Sequence, residues 1–107
     1  MSKMSRDKGK VGEREVAGIL RERGIEAKRG VQYQGGPGSP DVVADMPGIH
    51  LEVKRTEKLA LYKAVAQAEA DAPVGSRPVV VHRQNGKRWL AIMDFHDFVS
   101  LYQESLK

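Results

Sequence analysis

The sequence predicts a mixed α/β layer fold in the order helix, three strands, helix, two strands, helix. Three observations predict it. An apolar stripe at helical spacing opens the chain, with Val16, Ala17, Ile19 and Leu20 on one side. The run Pro40 to Arg55, PDVVADMPGIHLEVKR, then switches to two short strands joined by a turn. Finally, an alanine-rich segment and an Asn-Gly turn signal divide the remainder into helix, hairpin and helix. A chain of 107 residues makes one domain, with residues 1–10 as a flexible basic arm.

The first helix is expected from about Val11 to Arg23, stopped by Gly24. Glu13 falls inside its apolar stripe, where a carboxylate is an exception, while Glu15 falls on the far side. Partial solvation at a frayed helix start is the bland explanation of Glu13. Ile25 to Arg29 reads as a short strand. Gly30 to Ser39, GVQYQGGPGS, reads as a flexible surface loop that delivers the chain to Pro40-Asp41. Val42 to Asp45 forms a strand, Met46-Pro47-Gly48 turns, and Ile49 to Lys54 forms the next strand. A helix from roughly Leu59 to Asp71 ends at Pro73 and Gly75. Pro78 to His82 is an apolar strand. Asn85-Gly86 signals a type I′ hairpin, with Lys87 to Met93 returning. Asp94 is placed to cap a last helix through about Leu106, whose Phe95, Phe98, Val99 and Tyr102 suit a core or a dimer face.

Composition narrows the function classes. Apolar content of 40% fits a globular protein, and the absence of cysteine excludes disulfides, thiolate metal sites and thiol nucleophiles. No apolar run approaches the ~20 residues of a membrane span, and the N-terminus lacks a signal-peptide core, so a cytoplasmic protein is expected. Lys and Arg outnumber Asp and Glu 18 to 14. Lys3, Arg6, Lys8 and Lys10 crowd the first ten residues, Lys28 and Arg29 precede the glycine loop, and Arg55 and Lys58 follow the charged strand. Basic residues thus bracket one region in sequence, which points to a polyanionic partner such as nucleic acid.

That region carries the chemistry. Strand side chains alternate with a period of two. His50, Glu52 and Lys54 therefore share one face, and Ile49, Leu51 and Val53 share the other. Asp41 joins the charged set if the two strands pair. An exposed ion pair is the bland reading of Glu52 and Lys54. Yet two carboxylates can hold a hard divalent cation such as Mg²⁺ or Mn²⁺, with the Val53 carbonyl as a further oxygen and Glu13 as a direct or water-mediated ligand. A metal-bound water loses its proton more readily and can attack phosphorus, with Lys54 orienting it or stabilising the phosphoryl oxygens. His50 is expected in a phosphate contact or a solvated position, because hard cations prefer oxygen. His50, His82 and His96 make no zinc pattern. The glycines at 35, 36 and 38 lack the lysine and spacing of a P-loop.

Four stretches together resemble the PD-(D/E)xK nuclease superfamily, and within it the small archaeal-type and phage-type Holliday junction resolvases: KVGEREVAGILRERG, GGPGSPDVV, HLEVKR and the following helix with Gln67. Virus-type replication-repair nucleases share that core. The resemblance implies a restriction-endonuclease-like sheet flanked by helices, Mg²⁺-dependent phosphodiester hydrolysis with Mn²⁺ as a substitute, and a homodimer. It maps the helix Glu onto Glu13, the Pro-Asp motif onto Pro40 and Asp41, and the acid and lysine onto Glu52 and Lys54. It maps DNA contacts onto Arg14 and Gln67, beside Lys8, Lys10, Arg29 and Arg55. The expectation is a structure-selective endonuclease acting on branched DNA, encoded by a cell, a phage or a mobile element. A flap or duplex nuclease of the same superfamily, and a non-catalytic basic DNA-binding module, are the alternatives.

Overall fold

The computed structural model describes residues 3–30 and 40–107. Its elements follow the predicted order: α1 Lys3–Glu22, β1 Ala27–Arg29, β2 Val42–Ala44, β3 Ile49–Arg55, α2 Leu61–Asp71, β4 Arg77–Arg83, β5 Leu90–Ile92 and α3 Phe95–Ser105. The glycine loop, apart from Gly30, lies outside the described residues.

The five strands form one sheet in the order β1-β2-β3-β4-β5. β3 and β4 run parallel and every other pair is antiparallel. A parallel pair needs a crossover, and α2 supplies it. The helix layers divide the sheet's faces between them. Val16 and Ala17 of α1 pack on Val42, Leu51, Val53 and Val79. Ala64 and Ala68 of α2 pack on Val80 from the other side. Spaced four apart, these alanines lie on one helical face and let the helix approach closely.

α1 starts eight residues earlier than expected, at Lys3 rather than Val11. Gly9 and Gly12 depress helix propensity there, but contacts with the rest of the fold override it. Lys8 Nζ lies 3.6 Å from Glu57 Oε2. Gly12 sits where a Cβ would meet Arg55 Cβ at 2.8 Å and Trp89 at 3.3 Å, so its missing side chain allows α1 to cross the end of β3. The helix ends as predicted. Ile25 N–H donates to Leu20 O at 2.9 Å and Gly24 N–H to Arg21 O at 3.0 Å, with Gly24 at φ 83°. That is a Schellman motif.

Two C-terminal expectations change. Residues 84–87 do form a turn, closed by Lys87 N–H donating to Gln84 O at 3.1 Å, but only Gly86 has positive φ. Type I′ needs positive φ at both central residues, so the turn is not of that type. Asn85 is held from outside instead: its N–H donates to Glu57 Oε2 at 2.9 Å and its side chain accepts from Arg55. The paired part of β5 consequently starts at Leu90. Asp94 caps α3 as predicted, accepting from Asp97 N–H at 3.0 Å. However, α3 contributes no buried residue, and Phe95 is 72% exposed. The aromatic helix is therefore not core. Its far end is tied down by an ion pair between Arg77 and Glu104.

Candidate functional site

The site grows from the β2–β3 pairing. Val42 lies opposite Leu51, which sets Asp41 and Glu52 on the other face, next to each other. Gly30 anchors the approach. Its N–H donates to Asp41 O at 2.8 Å, and a Cβ there would fall 2.1 Å from the Pro40 carbonyl oxygen. Only glycine fits this crossing, so the loop closes at its base and fixes where Asp41 begins.

Asp41 is held further by β3. Its Oδ2 accepts from Val53 N–H at 2.8 Å, and its own N–H donates to Leu51 O at 3.1 Å. A strand residue sends its N–H and C=O to the same neighbour, so the Val53 carbonyl also faces the Asp41 side. Glu52 is 6% exposed and His50 is 3% exposed. His50 Nε2 lies 2.8 Å from Glu52 Oε1. The solvated or phosphate-contacting position expected for His50 is thus wrong, because α2 covers that face and makes it interior.

The electrostatics follow from this crowding. Burial pushes the Glu52 carboxyl up to about 8, and the Asp41 charge and a hydrogen bond with Asp41 push the same way. Asp71, at the end of α2, adds to it, while the Lys54 ammonium pulls down. Burial lowers the His50 imidazole against the opposing pull of Asp41 and Asp71. Asp71 escaped the sequence reading. Its i, i+4 partner Gln67, donating to it at 3.1 Å, was the available signal.

Glu13 also turns inward, at 8% exposure. Burial raises its pKa, the hydrogen bond from Arg29 lowers it, and the Asp41 charge raises it. Arg29 Nε donates to Glu13 Oε1 at 2.9 Å. Glu13 thus lies within electrostatic reach of Asp41, yet no group of three His, Asp or Glu side chains gathers at metal-binding distance among the described residues. Lys54 is half-buried on the Glu52 face beside His82, whose Nδ1–H donates to the Lys54 carbonyl at 2.9 Å.

The residues expected to touch DNA divide into two groups. Lys10 and Arg14 are exposed on α1, and Gln67 is exposed on α2. Arg29, Arg55 and Lys8 are engaged within the fold. Arg55 binds Glu57 at 3.2 Å as well as Asn85, and Glu57 also pairs with Lys8. The Asn85 N–H is the main cause of a depressed Glu57 carboxyl. A polar staple nearby joins α1 to β4 and the hairpin loop: Glu15 Oε2 accepts from Arg83 at 3.0 Å and from Trp89 Nε1 at 3.3 Å.

Crowding half-buried Asp41 against buried Glu52 is costly, and a cation between them would remove the cost. Two carboxylates and a main-chain carbonyl suit Mg²⁺ or Mn²⁺, which commonly bind through one or two carboxylates and retain water. The donor set therefore fits a hard divalent ion.

The family model described as "Archaeal holliday junction resolvase (hjc)" matches residues 4–99. Among solved structures, the chain is similar to Hjc of Archaeoglobus fulgidus, described as a Holliday junction resolvase from an archaeal hyperthermophile. Identity is 22%, with 76% of this chain and 72% of that chain covered, at a TM-score of 0.53. That likeness shows a shared fold. No curated protein matches.

Proposed function

The chain belongs to the archaeal Holliday junction resolvase family, and from that premise we propose that it cuts branched DNA with Mg²⁺ held by Asp41 and Glu52. Membership makes it a metal-dependent, DNA-binding nuclease. The observation that carries the finer reading is the pairing of buried Glu52 with half-buried Asp41, with the Glu52 carboxyl raised to about 8. Such a shift belongs to a group poised for a task rather than to a solvated ion pair.

When bound, the cation supplies water activation and neutralises charge at the scissile phosphate. Everything else comes from the chain. Asp41 and Glu52 would hold the cation through carboxylate oxygen, with the Val53 carbonyl facing the same side. Lys54 orients the attacking water or stabilises the phosphoryl oxygens. Glu13 acts through water, with Arg29 holding it. Lys10 and Arg14 track the phosphate backbone, with Lys8, Arg29, Arg55 and Gln67 as nearer or secondary contacts. Mn²⁺ substitutes for Mg²⁺.

A four-way junction is resolved by two matched cuts, and one chain carries one carboxylate pair. A homodimer answers this requirement. The exposed apolar side of α3, with Phe95, Phe98 and Tyr102, is its proposed face. It borders an apolar groove of about 460 Å³ lined also by Leu20, Met46 and Trp89. Phe98→Asp should convert dimer to monomer in sedimentation while the fold persists.

The test of the function is a panel of end-labelled four-way junction, flap, linear duplex and single-stranded DNA, run with Mg²⁺, Mn²⁺ or EDTA. Paired symmetric nicks in the junction alone, abolished by EDTA, are expected. Preferred cutting of flap or duplex would reject junction selectivity, and binding without cleavage under either metal would reject the enzyme.

A further inference from the structure

Each of the two carboxylates of the site, which also hydrogen-bond to each other, has an anchor on β3. Asp41 Oδ2 accepts from the Val53 main chain at 2.8 Å. Glu52 Oε1 lies 2.8 Å from His50 Nε2. The first anchor is backbone and any sequence would supply it. The second depends on one side chain, two residues upstream on the same face. His50 is 3% exposed, so its ring orientation is set by packing rather than by solvent. The helix over this face offers small alanines, Ala64 and Ala68. These supply no polar side-chain group to take the place of His50.

We propose that His50 is a positioning residue for the metal site, its Nε2–H holding one oxygen of Glu52 so that the other is presented for the cation. This rests on the reading of Glu52 as a ligand. The chemistry is specific. A carboxylate accepts at both oxygens, and an ionised one needs a donor where it is not bound to metal. An imidazole donating from Nε2 leaves Nδ1 unprotonated, so His50 stabilises the ligand without adding a positive charge that would repel the cation. A lysine at this position would add that charge. A leucine would leave one oxygen of a buried carboxylate without a donor and free to swing.

The test measures metal binding directly, without DNA or turnover. Mn²⁺ is titrated by calorimetry into the parent, His50→Leu, His50→Asn, His50→Gln and Glu52→Gln, with circular dichroism melts confirming folding. His50→Leu should weaken Mn²⁺ binding about 10- to 100-fold. His50→Asn, too short to reach Glu52, should behave alike and serves if the leucine variant does not fold. His50→Gln, whose amide nitrogen extends about as far as Nε2, should recover most of the affinity. The Mn²⁺ concentration giving half-maximal cleavage should rise by the same factor, while the rate at saturating metal changes less. Parent-like binding by a folded Leu or Asn variant would overturn the proposal, as would a Gln variant no better than Leu. Should Glu52→Gln bind Mn²⁺ as the parent does, the ligand assignment itself fails and the positioning role falls with it.

Discussion

The two faces of the sheet are finished in opposite ways. Under α2 the packing is close and polar: small Ala64 and Ala68 seat on Val80, while His50, Glu52 and His82 are buried beside them. Under α1 the core is apolar apart from Glu13 with its Arg29 partner, and toward α3 it opens into a groove of about 460 Å³ lined by Val16, Leu20, Leu51, Val79, Val81 and Met93. The first face spends stability, because desolvating a carboxylate is unfavourable. The second gains it by burying aliphatic side chains. The lesson is that a period of two in β3 is enough to assign Leu51 to the apolar layer and Glu52 to the polar one, while Glu13 reaches toward Asp41 from α1.

Removing the polar groups of the α2 face breaks the comparison most severely. Asp41→Asn or Glu52→Gln should lower the cleavage rate on the order of a thousandfold or more while leaving junction binding in a gel-shift assay intact. Next in size is the base of the loop. Gly30→Ala drives a Cβ against the Pro40 carbonyl at 2.1 Å, so the backbone carrying Asp41 must shift. A loss of about 1–3 kcal/mol in urea unfolding is expected, together with weaker cleavage.

A matched pair of substitutions sharpens the contrast in packing. Ala68→Leu overfills the tight α2 face and should cost about 1–3 kcal/mol. Ala91→Leu adds the same atoms to the open groove and should be near neutral by the same measurement. Equal costs would mean that the groove is closed in solution.

A pH dependence probes the same buried carboxylate without touching the metal. Glu52 titrates near 4.5 when unfolded and near 8 when folded. Between those values the native state binds the extra proton, so stability of the metal-free protein falls as pH rises from about 4.5 to 8. Below 4.5 both states are protonated and the penalty is absent. Melts of Glu52→Gln across this window should be flatter, with the variant gaining on the parent toward pH 8. A parent curve that rises through the same window would contradict the buried, proton-retaining Glu52.

Much of this was readable from residues alone. The element order, the cap at Asp94, the stop at Gly24 and the placement of Asp41 with Glu52 all follow from local spacing and turn chemistry. What escaped depends on partners distant in sequence. Alternation placed His50 beside Glu52 but could not say that α2 would cover them, since an alanine-rich helix is a generic helix. The start of α1 depends on Lys8 meeting Glu57 and Gly12 meeting Arg55 and Trp89. The Asn85 turn type depends on Arg55 and Glu57, thirty and twenty-eight residues away. Nothing local revealed that Arg29 would meet Glu13 across the α1–β1 junction. The helical aromatic spacing of α3 was plain, but whether such a stripe is buried is a property of the surroundings.

The central claim is that the Asp41–Glu52 pair beneath α2 holds the metal for DNA cleavage. It is tested most directly by incubating parent, Asp41→Asn and Glu52→Gln proteins with an end-labelled four-way junction in Mg²⁺ and in EDTA. Mg²⁺-dependent nicking by the parent, lost in both variants while binding is retained, is the expected result. Mg²⁺-dependent nicking that survives in both variants would contradict it.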